Sequence, residues 1–369
     1  MSGKASCIQC GRHYKVEINQ HDLGCNSNWC RTGICCICQK GSRGRRQHTD
    51  YRRSDRKKQK AMRRVTGPDA QKLLAGSDFV LPKEVLADPQ IFAVETMDLC
   101  TGQVRYYQRC YLNMDRWAFD RLLLKSMPEG VEVISGRCSR ICRMKEGFAV
   151  YAVREGKEEL FESRYIVGAD GANSLVRRSF FPKRKIMQYV SIQQWFPFEK
   201  DGPPFYSCIF DEETSESCSW IIHKDKYIIY GGCFAPKHCR QAFEKQKKRL
   251  QEFTGLDLRS PVKTEACLAD RPRRMRDFVT GEGGVFLVGE AAGFISPSSF
   301  EGISSALKSG EALAEAFISQ GDEAQIARAY GRKTLRLRMK LMLKTKKRWF
   351  MYTPWVRKII LKSGVGSIK

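Results

Sequence analysis

The chain has 369 residues, with 65 Lys and Arg against 40 Asp and Glu, and its formal net charge is +25. This length allows one large domain or two modest ones, and a hydrophobic content of 42% supplies an ample core. The charge is concentrated in two segments: residues 1–67 hold 16 basic and 4 acidic side chains, residues 324–369 hold 14 basic and no acidic ones, and the rest holds 35 basic and 36 acidic ones. A body near neutrality argues against a groove that follows phosphates, so no nucleic-acid partner is expected.

Residues 1–67 differ in character from the rest of the chain. They contain 7 of the 16 cysteines and show little periodic apolar pattern. Two interpretations stay open: a grafted, cysteine-rich basic arm, or coding sequence translated out of frame. Cys7 and Cys10 have the spacing of a zinc-binding pair, but in the second interpretation the cysteine clusters carry no meaning, and we expect no metal site. The other 9 cysteines are expected to be free thiols in a reducing cytosol.

The segment Tyr165–Arg178 (YIVGADGANSLVRR) predicts a strand, a turn and a helix. An apolar strand ends at Gly168, Asp170 and Gly171 form a turn, and the Asn-Ser pair that follows can cap a helix. An Asp-Gly turn is a weak signal when it stands alone.

Residues 186–267 have a different pattern, in which short β-prone runs are separated by charged turns. These runs are Val190–Phe198, Phe205–Phe210, Ser219–Ile222 and Tyr227–Phe234. They predict the antiparallel sheet of a second domain, and we expect residues 79–107 to supply part of its partner layer. Four aromatic side chains are candidates for the walls of an apolar pocket, with core packing as the alternative for each: Trp195, Phe196, Tyr206 and Trp220.

The segment Val285–Leu307 (VFLVGEAAGFISPSSFEGISSAL) repeats the order of strand, turn and helix. Its short apolar run is typical of a strand covered on both faces. Gly289 allows a turn at the carboxyl end of this strand, and Glu290 presents an acceptor there. Three small residues leave room for a ligand: Ala291, Ala292 and Gly293. Gly302 and Ile303 then start a helix, whose unpaired N–H groups and positive dipole end suit a phosphate or an anionic ring.

In this order, the two strand–turn–helix segments resemble the paired flavin motifs of the family that includes para-hydroxybenzoate hydroxylase and the geranylgeranyl reductases. The segment Tyr106–Leu123 (YYQRCYLNMDRWAFDRLL) is similar to the geranylgeranyl reductase segment in which an arginine, here Arg116, precedes a helix beside the flavin. The resemblance extends from about Pro68 to the end of the chain. It implies an α/β fold: an FAD-binding, Rossmann-like domain of the para-hydroxybenzoate hydroxylase type, a mixed antiparallel-sheet substrate domain, and a basic helical C-terminal tail.

The same resemblance implies a function and a set of site residues. It implies an FAD-dependent oxidoreductase that reduces isoprenoid (geranylgeranyl-type) double bonds of a prenyl-lipid, quinone-like or other apolar substrate by hydride transfer from reduced flavin. NADPH or another reductant is the implied electron donor, and no catalytic residue is identified. Glu290 stands where most relatives have aspartate, and its longer side chain can still accept from a ribityl hydroxyl. The implied FAD-binding residues are Arg116, Gly168, Asp170, Gly171, Gly289, Glu290, Ala291, Ala292, Gly293, Gly302 and Ile303.

Three alternatives stay open. The first is an FAD-dependent monooxygenase of the aromatic hydroxylase type, which needs oxygen activation and an aromatic substrate. The second is a non-catalytic or inactive flavoprotein remnant. The third is a zinc- or nucleic-acid-binding protein led by the cysteine-rich basic arm.

A flavoprotein of this class should begin with a strand and a G-x-G-x-x-G turn, which this sequence lacks. The genetic code tests the out-of-frame interpretation. The Trp-Cys pair at residues 29–30 must be encoded TGG-TGY, and the same bases read one position later contain GGT, a glycine codon. From Cys25 the shifted frame permits VIAIGAGPASAAFA, with no glycine allowed at the third fingerprint position. Residues 47–53 permit VSILIID, and residues 61–67 permit PCGGLLA, which is similar to the cysteine-glycine-glycine motif of geranylgeranyl reductases. Two compensating frame errors would therefore have scrambled the first βαβ unit, and we expect the sheet's centre to lack two strands.

These patterns divide the chain into six segments. We predict an aberrant segment at 1–67, a substrate-domain segment at 68–108, an FAD-binding segment at 109–185, the substrate-domain sheet at 186–267, a further FAD-binding segment at 268–323, and the basic tail at 324–369.

The tail combines apolar, aromatic and basic side chains between residues 333 and 361. Two interpretations are equally supported: a helix that lies on an anionic membrane surface, or a basic helix that packs its apolar side on the body. No run approaches the length of a membrane span, and no signal peptide is visible. We expect a cytoplasmic protein, with peripheral membrane contact through the tail as the first of the two interpretations.

Overall fold

The computed structural model of the chain describes residues 3–9, 12–18, 65–77, 79–127, 131–134, 136–319 and 321–367. The motifs assigned above to residues 19–64 lie outside the described residues. The strands are β1 Gly3–Gln9, β2 Arg12–Ile18, β3 Val65–Thr66, β4 Ile91–Asp98, β5 Gln103–Asn113, β6 Val131–Ile134, β7 Arg137–Arg143, β8 Phe148–Arg154, β9 Lys157–Ser163, β10 Tyr165–Gly168, β11 Met187–Pro197, β12 Phe205–Phe210, β13 Ser219–Lys224, β14 Tyr227–Phe234, β15 Lys263–Arg271, β16 Gly281–Glu282 and β17 Val285–Leu287. The α-helices are α1 Pro68–Ala75, α2 Arg116–Lys125, α3 Leu175–Phe180, α4 Cys239–Thr254, α5 Ile303–Ile318, α6 Glu323–Lys333, α7 Leu335–Tyr352 and α8 Pro354–Ser363.

The first sheet has the strand order β16-β17-β10-β1-β2-β6. β10 pairs in parallel with both β17 and β1, and all its residues are buried, as the apolar sequence of a central strand predicts. β2 pairs antiparallel with both β1 and β6. Only residues 10–11 separate β1 from β2, so this connection is a hairpin and is too short for the helical crossover that joins neighbouring parallel strands.

The position of β1 differs from the expectation that the centre of this sheet lacks strands. Its residues Ala5–Ile8 are aligned with Tyr165–Gly168 of β10. Ladder hydrogen bonds join backbone groups, so an extended segment can pair there whatever side chains it carries. The hairpin, however, cannot bring a helix N-terminus to this place, which is what a βαβ unit would supply for a pyrophosphate.

The second sheet is larger, with the order β15-β11-β14-β13-β12-β4-β5-β3. Its neighbours pair antiparallel except β12 and β4, which are parallel. The predicted runs Phe205–Phe210 and Tyr227–Phe234 match β12 and β14 residue for residue. The expectation of a partner layer from residues 79–107 is wrong, because β4 pairs with the open edge of β12 and so extends this sheet.

Helix α4 covers one face of the second sheet. Phe243 and Leu250 of this helix pack against apolar side chains from the strands, including Ile221 and Phe234. The opposite face carries Tyr206 and other aromatic side chains and is turned toward the first sheet. A third sheet of three strands, in the order β7-β8-β9, was not predicted from the sequence.

Two strands cross the predicted segment boundaries. β5 continues to Asn113, so the boundary drawn between residues 108 and 109 falls inside a strand. β15 likewise spans the boundary between residues 267 and 268. Because both strands run from the second sheet toward the first, the two halves of the fold share continuous backbone there.

The tail is helical, as predicted, and packs on the body through its inner side. Tyr330 of α6 is fully buried and its hydroxyl donates to the carbonyl oxygen of Leu287 at 2.8 Å. Leu341 of α7 is 2% exposed. In the described part of the chain, no helix is both long and apolar enough to cross a membrane.

Helix α8 is held by a buried ion pair. Arg357, which is 2% exposed, donates through Nε to Asp98 Oδ2 at 2.8 Å and through Nη2 to Glu212 Oε2 at 2.5 Å. Asp98 is fully buried at the end of β4. Removing one partner of such a pair costs about 3–5 kcal/mol, because the other charge stays buried.

We therefore predict that Arg357→Ala loosens α8 and lowers the free energy of unfolding by about 3 kcal/mol. Amide hydrogen exchange should become faster throughout Pro354–Ser363, and urea denaturation should give the stability loss. Lys358→Ala, which removes an exposed neighbour, is the control and should change neither quantity. Equal exchange protection in the two variants would show that the pair does not hold α8.

Candidate functional site

Two turns follow neighbouring parallel strands, and the first sheet places them side by side. Gly168 ends β10 opposite Leu287 of β17, and the amide of Val288 donates to the carbonyl oxygen of Gly168 at 3.0 Å. A Cβ atom on Gly168 would lie 2.6 Å from Leu287 Cδ2 and 2.8 Å from Val176 Cβ, so no side chain fits there. Both turns therefore lie at the carboxyl edge of the sheet, where open α/β sheets hold ligands.

The first turn leads into α3. Gly171 has a φ of +77°, which favours glycine, and Ser174 is the N-cap, with its Oγ accepting from the amide of Arg177 at 2.9 Å. Asp170 Oδ2 accepts from the amide of Leu175 at 2.6 Å. Burial raises the pKa of the Asp170 carboxyl. Its Oδ1 atom is buried without a hydrogen-bond partner among the described residues.

The guanidinium of Arg177 joins the two turns. Its Nη1 donates to the carbonyl oxygen of Ala291 at 3.0 Å, and its Nη2 donates to those of Asp277 at 2.8 Å and Arg184 at 2.7 Å. Burial lowers the pKa of Arg177 to about 10, while the carboxylates of Asp270 and Asp277 act in the opposite direction. The group therefore keeps its charge at neutral pH and holds three backbone segments together.

The second turn is a short 3-10 helix, Gly289–Ala292, that ends at Gly293. Gly289 and Gly293 have φ angles of +56° and +88°, in the left-handed region that glycine adopts without strain. Glu290 Oε1 accepts from the amide of Asp270 at 3.0 Å, which fastens this turn to the end of β15.

Helix α5 begins close to the second turn. Gly302 is its N-cap, and among the described residues no side chain caps its first amides. The helix has 16 residues, so the N–H groups at Ile303 and after it form the positive end of a full helix dipole. This end suits an anionic or strongly polar ligand.

A cleft lies between the turns of the first sheet and the aromatic face of the second. It has an open volume of about 880 Å³, part of it continuous with solvent. Glu290, Gly302 and Ile303 line it on the side of the turns, while Tyr206 and Trp220 line it on the side of the second sheet. One space therefore combines polar backbone groups with apolar walls.

Several polar side chains line this cleft, and some of them have defined partners. Tyr111 Oη donates to Glu301 Oε1 at 3.3 Å. Arg116 Nε pairs at 2.8 Å with a carboxylate one helical turn along α2. Asp69 is paired with Lys340 at 2.9 Å, and this hydrogen bond lowers the pKa of Asp69.

The structure brings some of the sequence-predicted site residues together and not others. The cleft is lined by Arg116, Glu290, Gly302, Ile303, Tyr206 and Trp220. The remaining predicted cofactor residues build the turns beside it: Gly168, Asp170, Gly171, Gly289, Ala291, Ala292 and Gly293. Of these, Ala291 and Ala292 are fully buried in the core of the first sheet.

Two of the predicted pocket aromatics lie elsewhere, and this corrects the sequence analysis. Phe196 points to the opposite face of the second sheet, where it packs in the core beside Phe243. Trp195 is on the cleft face but toward one end of β11, where its Nε1 donates to Glu265 Oε2 at 3.0 Å and its ring packs on Tyr227. Because successive side chains alternate between the faces of a strand, adjacent aromatics could not both line one pocket.

Sequence analysis missed several cleft residues. Tyr111 and Arg109 lie on β5, and Phe300 and Glu301 lie between the second turn and α5. Phe300 has a φ of +52°, a conformation that costs a non-glycine residue roughly 1–3 kcal/mol and is concentrated at functional sites. The sequence signal that could have pointed to these residues was the bulky Phe300, directly before the Glu301-Gly302 pair at the start of a helix.

One group of possible metal ligands lies outside the cleft. Asp98, Cys100 and Glu212 offer ligand atoms within 4.8 Å of one another. Both carboxylates already pair with Arg357, and burial raises the pKa of Cys100 to about 11, which keeps this thiol protonated. This group therefore does not favour a metal ion.

Comparisons with known proteins relate both turns to flavoproteins. Residues 144–345 match a family model described as FAD binding domain. Protein CbrA of Escherichia coli (strain K12) is 43% identical over 305 residues, which cover 82% of this chain and 85% of that protein. Protein CbrA of Shigella flexneri serotype 5b is also 43% identical over 305 residues, with 82% of each chain covered.

Solved structures show the same fold at low sequence identity. A geranylgeranyl bacteriochlorophyll reductase-like protein from Thermoplasma acidophilum has a TM-score of 0.68 at 13% identity, with 95% of this chain and 88% of that chain covered. The probable FAD-dependent monooxygenase pqsL of Pseudomonas aeruginosa has a TM-score of 0.61 at 12% identity, with 98% and 99% covered. Klebsiella pneumoniae HpxO complexed with FAD and uric acid has a TM-score of 0.55 at 14% identity, with 81% and 82% covered.

The contacts of Arg177 lead to a stability prediction. Arg177→Met keeps much of the side-chain volume but leaves the carbonyl oxygens of Ala291, Asp277 and Arg184 without their donor. Each lost hydrogen bond to a charged group is worth about 1.5–3 kcal/mol, so we expect a loss of at least about 3 kcal/mol in urea denaturation. Arg178→Met is the matched control, because the Arg178 side chain is exposed and, within the part of the chain that the structure describes, donates only to Asn173. A loss below about 1 kcal/mol for Arg177→Met would contradict the bridging role.

Proposed function

Because the chain belongs to the FAD binding domain family and is an FAD-dependent oxidoreductase, we propose that it reduces isoprenoid (geranylgeranyl-type) double bonds of a lipid or quinone-like substrate. The observation that carries this proposal is the cleft, which adjoins the two turns on one side and has aromatic walls on the other. A substrate bound there would lie between the place of the cofactor and an apolar surface.

The residues at this edge of the sheet fit FAD. The amides at the start of α5 offer donors without a side-chain cap, and Asp170 Oδ1 is a buried acceptor that lacks a partner among the described residues. Glu290 and Arg116 add an acceptor and a cation at the cleft. We propose that the turns at Gly168–Gly171 and Gly289–Gly293 hold the cofactor, with its ring end near Gly302.

When bound in its reduced form, FAD would supply the hydride for saturating a double bond, and the chain would have to provide the proton. The chain's own residues orient the substrate and exclude water. Trp220 is 1% exposed and Tyr206 3% exposed, so the wall that they form is buried and would help to exclude water from a bound substrate. The hydroxyl of Tyr111, which is hydrogen-bonded to Glu301, is a proton source at the cleft wall. NADPH or another reductant would return the flavin to its reduced form.

A second candidate function is an FAD-dependent monooxygenase of the aromatic hydroxylase type. The fold is shared with pqsL and HpxO, and an aromatic substrate could also stack against Tyr206. This reaction needs molecular oxygen and forms a hydroxylated product. Double-bond reduction needs no oxygen and forms a saturated product. The two functions therefore differ in their dependence on oxygen.

We also propose that residues 25–67 encode the first βαβ unit read out of frame, between two compensating frame errors near residue 24 and near residue 67. The match to the Shigella flexneri protein covers 82% of both chains, so a similar share of each chain lies outside it, which is compatible with a misread part in one of them. The β1–β2 hairpin lies before that window, but it agrees with the loss of the unit, since it joins the sheet beside β10 without the crossover helix of the family's nucleotide-binding unit. Whether the misreading lies in the gene or in its sequencing is decided by sequencing the locus again. Stop codons in the shifted frame would refute the proposal.

We predict that a frame-repaired chain reduces a geranylgeranyl lipid under anaerobic conditions when a reductant is supplied. Mass spectrometry should detect products heavier by two hydrogen atoms for each double bond. Tyr111→Phe should slow product formation by about tenfold or more while leaving flavin reduction by the donor unchanged, because only the proton source is removed. Under air, NADPH-driven hydroxylation or substrate-stimulated peroxide release, without anaerobic saturation, would favour the monooxygenase.

We further predict that the frame-repaired chain is purified with bound FAD, whereas the chain with residues 1–67 as given retains about tenfold less or misfolds. The physical reason is the loss of the backbone N–H groups of the pyrophosphate loop. Flavin absorbance per chain, with circular dichroism to follow folding, measures both outcomes. Equal flavin occupancy would overturn the frame proposal without affecting the substrate proposal.

A further inference from the structure

The outer face of α7 carries exposed apolar side chains. Leu335, Met339, Leu343 and Phe350 are exposed by 44%, 54%, 63% and 52%. Spacings of four, four and seven residues place them on one side of the helix. Over 15 residues at about 1.5 Å each, this stripe is roughly 22 Å long.

An aromatic group connects this stripe to α8. Trp349 is 57% exposed, and its ring centroid lies 5.0 Å from that of Phe350 and 6.4 Å from that of Trp355. Trp355 is 62% exposed and Ile359, one turn further along α8, is 60% exposed. We call these seven side chains, on both helices, the outer tail face: Leu335, Met339, Leu343, Trp349, Phe350, Trp355 and Ile359.

The cations of the two helices divide between an inner and an outer side. On the inner side, Lys340, Arg348 and Arg357 pair with carboxylates of the body. On the outer side, Arg336, Lys346, Lys358 and Lys362 are exposed and form no ion pair with a carboxylate that the structure describes. Residues 324–369 contain no acidic residue. The tail therefore places cations, and no carboxylate of its own, beside the apolar outer tail face.

This combination identifies the kind of surface that it fits. A contiguous apolar surface exposed to water marks an interaction site. Aromatic side chains with lysines and arginines beside them are typical of the interface between water and an anionic bilayer, where the rings enter the headgroup region and the cations meet lipid phosphates. An acidic protein surface would match the charge of the cations, but its charged groups would not bury the two exposed tryptophans.

Helix α7 also borders the cleft. Its inner residue Lys340 binds Asp69, a lining residue of the cleft, and the pKa of Lys344 is lowered by burial, with Glu301 acting in the opposite direction. The same helix therefore contacts a lining residue of the cleft and also carries most of the outer tail face. A bilayer bound to the outer side of α7 would lie near the cleft.

We propose that the outer tail face binds the surface of an anionic lipid bilayer and places the cleft beside it. The binding surface stands on the exposed residues of α7 and α8, and only its use in substrate entry rests on the proposed function. The occupant is the bilayer, with a second copy of this chain as the competing occupant that the experiment must exclude.

The test is co-sedimentation of the full chain with vesicles of phosphatidylcholine containing phosphatidylglycerol, compared with vesicles of phosphatidylcholine alone. We expect binding at least about tenfold stronger to the anionic vesicles, weakened by salt because exposed charges are screened. Two variants separate the contributions. One replaces Arg336, Lys346, Lys358 and Lys362 by Gln, and the other carries Leu343→Ser, Phe350→Ser and Trp355→Ser. Each should lose about tenfold or more in binding to anionic vesicles.

Phe92→Ser with Val262→Ser is the matched control, since both side chains are apolar and exposed but belong to neither α7 nor α8. It should bind vesicles like the unaltered chain, and circular dichroism checks that every variant folds. Equal binding to neutral and anionic vesicles, or unchanged binding in both tail variants, would overturn the proposal. So would a dimer in sedimentation that the apolar variant abolishes, without vesicle binding. Vesicle binding without prenyl reduction would contradict only the proposed function. Prenyl reduction without vesicle binding would contradict only the proposal that the outer tail face binds a bilayer.

Discussion

The arrangement of the site depends on the close parallel pairing of β10 with β17. Gly168 allows the two strands and α3 to approach within a distance that any Cβ atom would prevent. The buried guanidinium of Arg177 then spans the turns that follow, with bonds to the carbonyl oxygens of Ala291 and Asp277. Because these turns fix the start of α5 and the position of Glu290, the side of the cleft that the turns form follows from this contact. The aromatic side follows from the second sheet, which β15 connects to the same turns.

The sequence predicted the local elements of this site well, because each has a short-range signal. β-prone runs separated by charged turns defined β12 and β14 to the residue, and the Gly-Ile start of α5 was located correctly. The family signal extended to the cofactor, since FAD is shared by the family to which the chain belongs. These predictions need no knowledge of the tertiary structure, which explains their accuracy.

Long-range features were predicted poorly. Tyr111 and Glu301 meet in the cleft although 190 residues separate them, and no local pattern links them. Phe196 was expected in the pocket, but the alternation of β11 turns it to the α4 side. The parallel pairing of β4 with β12 joins segments that are distant in sequence, so the expected separate layer became part of one sheet. The tail illustrates the same limit, since its apolar residues serve two faces and the sequence could not assign them.

The central claim is that one cleft brings reduced FAD and an isoprenoid double bond together. A single-turnover experiment tests it most directly: the frame-repaired protein, with its flavin reduced and oxygen removed, is mixed with a geranylgeranyl lipid while flavin absorbance is recorded. The account predicts that the flavin is reoxidised at the rate at which saturated product forms, and that Trp220→Ala, which removes a wall of the cleft, slows both equally. Flavin that stays reduced until oxygen is admitted would contradict it.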